Sequence, residues 1–367
     1  MRRLAQIATL VVVALLSSCN NKEGVRDTEP IYTPRYAQGF SIERDKASGE
    51  LLLCVKNPWQ GAENILYYNT INTEKPLQRI VAMSSSYVAM LDAVGCSERI
   101  VGISGCRFIS TPSARKAIEE GKIAEVGYDS NFDFERIRSL QADMVLLYGV
   151  SGEAKMLTNK FDELSIPYIY IGDYLENCPL GKAEWVVALS YLCGEEEQGK
   201  EFFKGVEERY IALCNREYDT PYRPQVMLNI PYRDTWFMPS YNSYMVQLIR
   251  DAGGRCLLPY NRDITSTVST PISLEEAMWL VSRADFWLNV GQVESLAELK
   301  QLEPLFADIH VVKFAFVYNN TKRTNKSGGS DFWESGAVRP DLILNDLVQI
   351  LHYDDEADSL YYYKKLE

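Results

Sequence analysis

The sequence predicts an α/β fold: two Rossmann-like lobes with mostly parallel sheets, joined by one long helix and preceded by an N-terminal β-hairpin. Three observations predict it. From residue 78 onward, short apolar strands alternate with helical stretches, the texture of parallel sheets covered by helices. Motifs of the first half recur in the same order in the second half. Between the halves, residues 195–217 carry Phe202, Val206, Tyr210, Leu213 and Cys214 at helical spacing.

The chain starts with a segment that reads as targeting rather than fold. Arg2 and Arg3 are followed by a largely apolar run from Leu4 to Leu16 and by small residues. That run is short for a membrane span of about 20 residues. Leu16-Ser17-Ser18-Cys19 resembles the lipobox of bacterial lipoproteins, whose cysteine is acylated and becomes the new N-terminus. The resemblance implies a signal peptide over 1–18, a lipid anchor on Cys19 and a place in the cell envelope, periplasm-facing or at the surface. An ordinary cleaved signal peptide or an uncleaved anchor are the other readings of the same residues.

The polar stretch 20–35 reads as a tether. Phe40–Arg44 and Glu50–Lys56 flank Asp45-Lys46-Ala47-Ser48-Gly49, a hairpin pattern with a glycine turn. Tether and hairpin together make an extension over 19–77. The first lobe is expected over 78–194, with strands Arg79–Met83, Arg99–Ile103, Met144–Tyr148 and Tyr168–Ile171 and helices Tyr87–Val94 and Phe134–Leu140. The linking helix is 195–217, within which Gly199 and Gly205 each cost about 1 kcal/mol relative to alanine. The second lobe is expected over 218–352. Its strands are Gln225–Asn229, Phe286–Asn289 and His310–Val317, and its helices are Tyr244–Ala252, Leu274–Val281 and Leu342–Leu351. Residues 353–367 remain as a tail.

The internal repeat is specific. Ser86-Tyr87, Leu91, Asp92-Ala93 and Gly95 correspond to Ser243-Tyr244, Leu248, Asp251-Ala252 and Gly253. Asp133-Phe134-Glu135 before Ala142-Asp143 corresponds to Ser273-Leu274-Glu275 before Ala284-Asp285. Two related lobes leave a cleft between them, a favoured place for ligands, lined by the loops after the strands. Those loops are rich in aromatic and basic residues. Tyr87, Arg107, Tyr128, Tyr148 and Tyr174 are the candidates in the first lobe; Tyr232, Arg233, Trp236, Tyr241 and Trp333 are those in the second. Flat faces with a few cations suit a large, partly planar, anionic ligand, and carbohydrate would suit them too.

Composition narrows the function class. The net charge is −12, and removing 1–18 takes away two arginines and no acids, which argues against nucleic acid as a partner. There are two histidines, His310 and His352, both in or beside apolar elements. The seven cysteines after Cys19 form no CxxC. A bare transition-metal site is therefore not expected, although a metal already inside a chelator needs no such cluster. No G-x-S-x-G, P-loop or H-E-x-x-H motif is present, so nothing asks for an enzyme.

Arg79-Ile80-Val81-Ala82-Met83-Ser84 with Leu91-Asp92-Ala93-Val94-Gly95, and Phe132-Asp133-Phe134-Glu135-Arg136-Ile137 with Ala142-Asp143-Met144-Val145, resemble the solute-binding proteins of iron-complex and cobalamin ABC importers. Trp236-Phe237-Met238-Pro239, Asp251-Ala252-Gly253-Gly254 and Gly329-Ser330-Asp331-Phe332-Trp333-Glu334-Ser335-Gly336 resemble the version common in lipoproteins of the Bacteroidetes. The resemblance covers about 78–352. It implies a class III periplasmic-binding-protein-like fold and a monomeric, non-enzymatic carrier with no cofactor. The cargo would be a metal chelate (ferric siderophore, haem or cobalamin), and the partner an ABC importer permease. Glu135 and Glu275 occupy positions at which the family places one permease-docking glutamate per lobe. Without the resemblance, the same two acids read as compensation of helix dipoles, worth a few tenths of a kcal/mol to about 1 kcal/mol. An envelope tetrapyrrole-processing enzyme of chelatase type, with His310 or a tyrosine as base, and an oligosaccharide-binding lipoprotein are the alternatives. The extension at 36–59 and the Tyr318–Gly336 segment depart from the simplest family members, so cargo identity does not carry over.

Overall fold

The computed structural model describes residues 22–23, 26–128, 131–149, 153–218, 221–233, 235–260, 264–266, 268–352 and 359–367. The expected signal segment 1–18 and Cys19 lie outside the described residues.

Each lobe is built on a mostly parallel sheet, because its central strands are short apolar runs buried on both faces. The first sheet has the spatial order Tyr168–Tyr170, Met144–Leu147, Ile80–Ala82, Ile100–Ile103, Ala124–Glu125. The second runs Lys364–Lys365, Val317–Asn319, Phe286–Leu288, Gln225–Leu228, Arg255–Cys256. Setting aside the edge strands Ala124–Glu125 and Lys364–Lys365, the four remaining strands follow one order in both lobes. The repeat in the sequence is thus a repeat of topology. Ser84 and Ser243 cap the matching helices Ser85–Ala93 and Tyr244–Asp251. Asp133 and Ser273 cap Phe134–Ser139 and Leu274–Val281.

Helix Pro179–Cys193 ends at Gly194, where φ is +70°, and the linking helix Glu196–Cys214 follows. Nineteen residues span roughly 28 Å at 1.5 Å per residue. The linking helix packs on Pro179–Cys193 of the first lobe and on Pro340–His352 of the second. Arg209 Nε donates to Asp341 at 2.6 Å, and Tyr210 OH donates to Asp251 at 2.6 Å. Gly199 has a packing reason: a Cβ there would overlap Ser190. One hydrophobic core runs from the N-terminal strands through the first lobe into the second, joining Phe40, Ile80, Trp185, Val226 and Leu347; a second, around Trp236, Trp287 and Phe306, fills the rest of the second lobe. Among the described residues, no helix is long and apolar enough to cross a membrane.

Three expectations are corrected. The expected hairpin forms, Phe40–Asp45 against Leu51–Lys56, but it is the middle of a larger five-stranded antiparallel sheet: Thr28–Tyr32, Phe40–Asp45, Leu51–Lys56 and Leu66–Ile71 pair in order, with Lys22–Glu23 at the edge. Two buried carboxylates strap its connecting segment to helix Pro179–Cys193. Glu184 accepts from Tyr32 OH, Arg35 N, Tyr36 N and Ala37 N at 2.7–2.9 Å. Glu176 accepts from Gln38 N, Gly39 N and Trp185 Nε1.

The run His310–Val317 is not one strand. His310–Lys313 is helical, Ala315 turns the chain at φ +57°, and the strand is Val317–Asn319. A short apolar run fits either period, and the bond from Phe316 N to Val311 O at 2.7 Å closes the turn. The tail is not separate: Lys364–Lys365 pairs antiparallel with Val317–Asn319, and Asp346 accepts from the backbone N–H groups of Tyr361, Tyr362 and Tyr363.

Candidate functional site: the cleft at the strand ends

The carboxyl ends of both parallel sheets define the site, because open α/β sheets bind ligands in the crevice beyond those ends. In the first lobe the loop after Ile100–Ile103 is held by Glu125. Its carboxylate accepts from Gly105 N at 2.9 Å, Cys106 N at 2.7 Å and Gly127 N at 3.0 Å. Gly105 takes φ +76°, and a Cβ there would meet the Tyr128 ring at 2.7 Å. The loop therefore presents a compact row. The Arg107 guanidinium lies 4.5 Å above the Phe108 ring, and Phe108 lies 4.9 Å from Tyr128. Arg107 is exposed and Tyr128 is 52% exposed, so cation and flat faces are both open to a ligand.

In the second lobe the loop after Gln225–Leu228 carries Tyr232, 65% exposed, with Arg233 5.3 Å above its ring. Asn229 and Arg233 adopt φ of +66° and +55°, a conformation uncommon for residues with side chains. Both the Tyr232 and Arg233 side chains are exposed. Phe237 and Tyr260 are exposed as well; sequence reading passed over Tyr260, although it follows strand Arg255–Cys256 as other chosen residues follow theirs. Tyr241 is half-buried under the Arg250 guanidinium at 4.7 Å. Trp333 is 54% exposed and stands edge-on to buried Phe332.

Two of the predicted ligand contacts are core residues instead. Tyr87 is fully buried, and its hydroxyl donates to the strand-end carbonyls of Leu147 at 3.2 Å and Ile171 at 3.0 Å. Burial pushes its phenol well above the usual range. Trp236 is fully buried, stacks on Trp287 at 5.5 Å and donates Nε1–H to Leu228 O at 2.9 Å. Both hold strand-end carbonyls from within the core, a role that sequence position alone cannot separate from contact with a ligand. Tyr174 is half-buried and spends its hydroxyl on Gly149 O, so it offers a ring face rather than a donor. Tyr148 is half-buried beside Gly149. The N-terminal sheet reaches this same point: Trp59 bridges to Gly149, Gln60 N donates to Gly149 O, and the Trp59 ring lies 5.5 Å from Tyr170.

Neither histidine is at the cleft. His310 stands before the amino end of Val317–Asn319 and packs on Phe314 and Phe316. His352 shares a 2.8 Å hydrogen bond with Ala252 O and stacks on Tyr218; burial lowers its pKa. A chelatase-type mechanism that used His310 as cleft base has no support in this geometry. Among the described residues, no group of three or more His, Cys, Asp or Glu is placed to hold a metal ion. Glu135 and Glu275 are exposed, each in the first turn of its capped helix.

The family model described as periplasmic binding protein matches residues 80–278, more than half of the chain. The chain belongs to the periplasmic binding protein family. This membership places the binding protein outside the cytoplasm and makes its relatives binders of small molecules rather than catalysts. An uncharacterized lipoprotein of Methanocaldococcus jannaschii is 27% identical over 76% of this chain and 66% of its own length; the chain thus spans just under two thirds of that relative. A periplasmic haem-binding protein of Pseudomonas aeruginosa matches with TM-score 0.57 and 16% identity over 79% of this chain and 98% of its own. The siderophore-binding protein of Vibrio cholerae with Fe3+–Desferal matches at 0.52 and 16% over 75% and 99%. The periplasmic vitamin B12-binding protein of the same organism matches at 0.55 and 13% over 77% and 99%. At these identities the structural likeness establishes the fold, two α/β lobes and a linking helix.

Proposed function

We propose that this binding protein captures a metal chelate (ferric siderophore, haem or cobalamin) in the interlobe cleft and delivers it to the permease of an ABC importer. The observation that supports the reading is a pair of exposed cation–aromatic clusters on strand-end loops, one per lobe: Arg107 with Phe108 and Tyr128, and Arg233 with Tyr232. Flat rings take a chelate's planar surface, and guanidinium groups take its carboxylate or other anionic substituents. The chelate is cargo, so the protein needs no metal ligands of its own. Exposed Glu135 and Glu275, one per lobe, are the acids proposed to dock on basic residues of the permease. Lipid on Cys19 would confine the carrier near its importer and raise effective concentration without adding affinity.

The test is an absorption spectrum and mass spectrometry of protein purified from its native host. A coloured chelate retained in stoichiometric amount supports the reading. Colourless protein that binds neither haem, nor ferric desferrioxamine, nor cobalamin on titration refutes it, and glycan binding at the same aromatics would replace it.

A further inference from the structure

Glu334 belongs to the second lobe, yet the donors to its carboxylate come from the first. Ser110 N–H donates to Oε2 at 2.7 Å; Thr111 N–H and its hydroxyl donate to Oε1 at 2.6 and 2.5 Å. The side chain is fully buried. Its place is chemically apt. Thr111 precedes helix Pro112–Glu119, whose first residue is a proline without an N–H, and a carboxylate at a helix N-terminus is favoured by the peptide dipoles.

Two more contacts lie within the same segment. Asn325 Nδ2 donates to Arg107 O at 3.2 Å and Ile109 O at 3.1 Å. Its Oδ1 accepts from Ser327 N and Gly329 N, which stiffens the turn. Gly329 lies against the Phe108 backbone so closely that a Cβ would overlap the Phe108 carbonyl oxygen. Behind these, Asp331–Glu334 packs on helix Ser85–Ala93. The bridge joins the loop after strand Ile100–Ile103 to the chain after strand Val317–Asn319. Both are carboxyl ends of strands, the ends at which open α/β sheets bind ligands.

We propose that residues 320–336 form a clasp that bolts the lobes together across one flank of the cleft, with Glu334 as the positioning residue for the Arg107–Phe108 pair. Cargo then enters and leaves by the opposite flank at a fixed lobe spacing. The clasp itself stands without the carrier reading; only its effect on cargo rests on that reading.

The first test needs no ligand. Hydrogen exchange at the Ser110 and Thr111 amides is measured in the full chain and in Glu334→Ala, Glu334→Gln and Gly329→Ala, with small-angle scattering on each. Because the acceptor sits on the other lobe, exchange in the native protein is expected at least about 100-fold slower than in Glu334→Ala. Gly329→Ala, which keeps the carboxylate, is expected to enlarge the radius of gyration. Equal exchange in native protein and Glu334→Ala, or unchanged scattering in both Glu334→Ala and Gly329→Ala, overturns the clasp. The second test titrates haem, ferric desferrioxamine and cyanocobalamin. Glu334→Gln, which keeps side-chain shape but turns an NH2 toward one of the donors, is expected to weaken the bound probe about 10-fold at a temperature where the variant is still fully folded, with the melting temperature lowered by a few degrees. Full affinity in Glu334→Gln and Gly329→Ala overturns the positioning role. If the native protein binds none of the three probes, the carrier reading fails while exchange and scattering still decide the clasp.

Discussion

Replacing Glu184 by alanine should detach the N-terminal sheet from the first lobe. The carboxylate is 1% exposed and serves four donors. Oε1 takes Tyr32 OH and Arg35 N; Oε2 takes Tyr36 N and Ala37 N. Losing a buried acceptor costs about 1–3 kcal/mol per stranded donor. Ala37 N is buried and takes the full cost; the other three donors are part-buried and recover some hydration. The sum is roughly 3 kcal/mol. Glu184→Gln retains one carbonyl oxygen but turns an NH2 toward two N–H groups, so roughly 2 kcal/mol is expected. Urea unfolding followed by tryptophan fluorescence reads the loss, because Trp185 packs on Phe40 of this sheet at a ring distance of 4.8 Å. Hydrogen exchange at Arg35, Tyr36 and Ala37 localises it. A Glu184→Ala variant within 0.5 kcal/mol of the native protein, a margin usual for inert surface changes, with these amides still protected, would refute the reasoning.

Four further outcomes follow from the same geometry. Charge reversal at Glu135 and Glu275 should abolish uptake in cells while leaving cargo affinity intact; lost affinity would put these acids in the cleft instead. Arg107→Ala combined with Tyr128→Ala should weaken a bound chelate by 10-fold or more, measured by spectral titration. Tyr87→Phe should leave cargo affinity unchanged but cost about 1–2 kcal/mol in denaturant unfolding, since the Ile171 carbonyl loses the hydroxyl donor while the Leu147 carbonyl keeps the Ile171 N–H. Burial raises the Glu334 pKa above its ordinary 4.5, so the folded state holds this proton more tightly than the unfolded state does. The stability this group contributes is then greatest below 4.5 and falls as pH rises through the raised value. Urea midpoints from pH 4 to 7 should decline less steeply in Glu334→Gln than in the native protein, and identical slopes would exclude the effect.

The sequence by itself determined the two α/β lobes, the linking helix and the repeat. These rest on local signals: apolar period, serine and aspartate caps, and glycines at helix ends, all of which act within a few residues. It also marks Glu135 and Glu275 as first-turn acids of N-capped helices at matching points of the two halves. Tertiary structure decided the rest. Tyr87 and Trp236 are core residues while Arg107, Tyr128 and Tyr232 are exposed on strand-end loops, a division set by which strand-end carbonyls lie within reach of each polar tip. Leu66–Ile71 joins the N-terminal sheet only because Leu51–Lys56 offers it a pairing edge. Above all, Glu334 and Thr111 are 223 residues apart. No local pattern marks a carboxylate whose partners are backbone N–H groups of the other lobe, since every residue has such a group and only the fold chooses which ones meet.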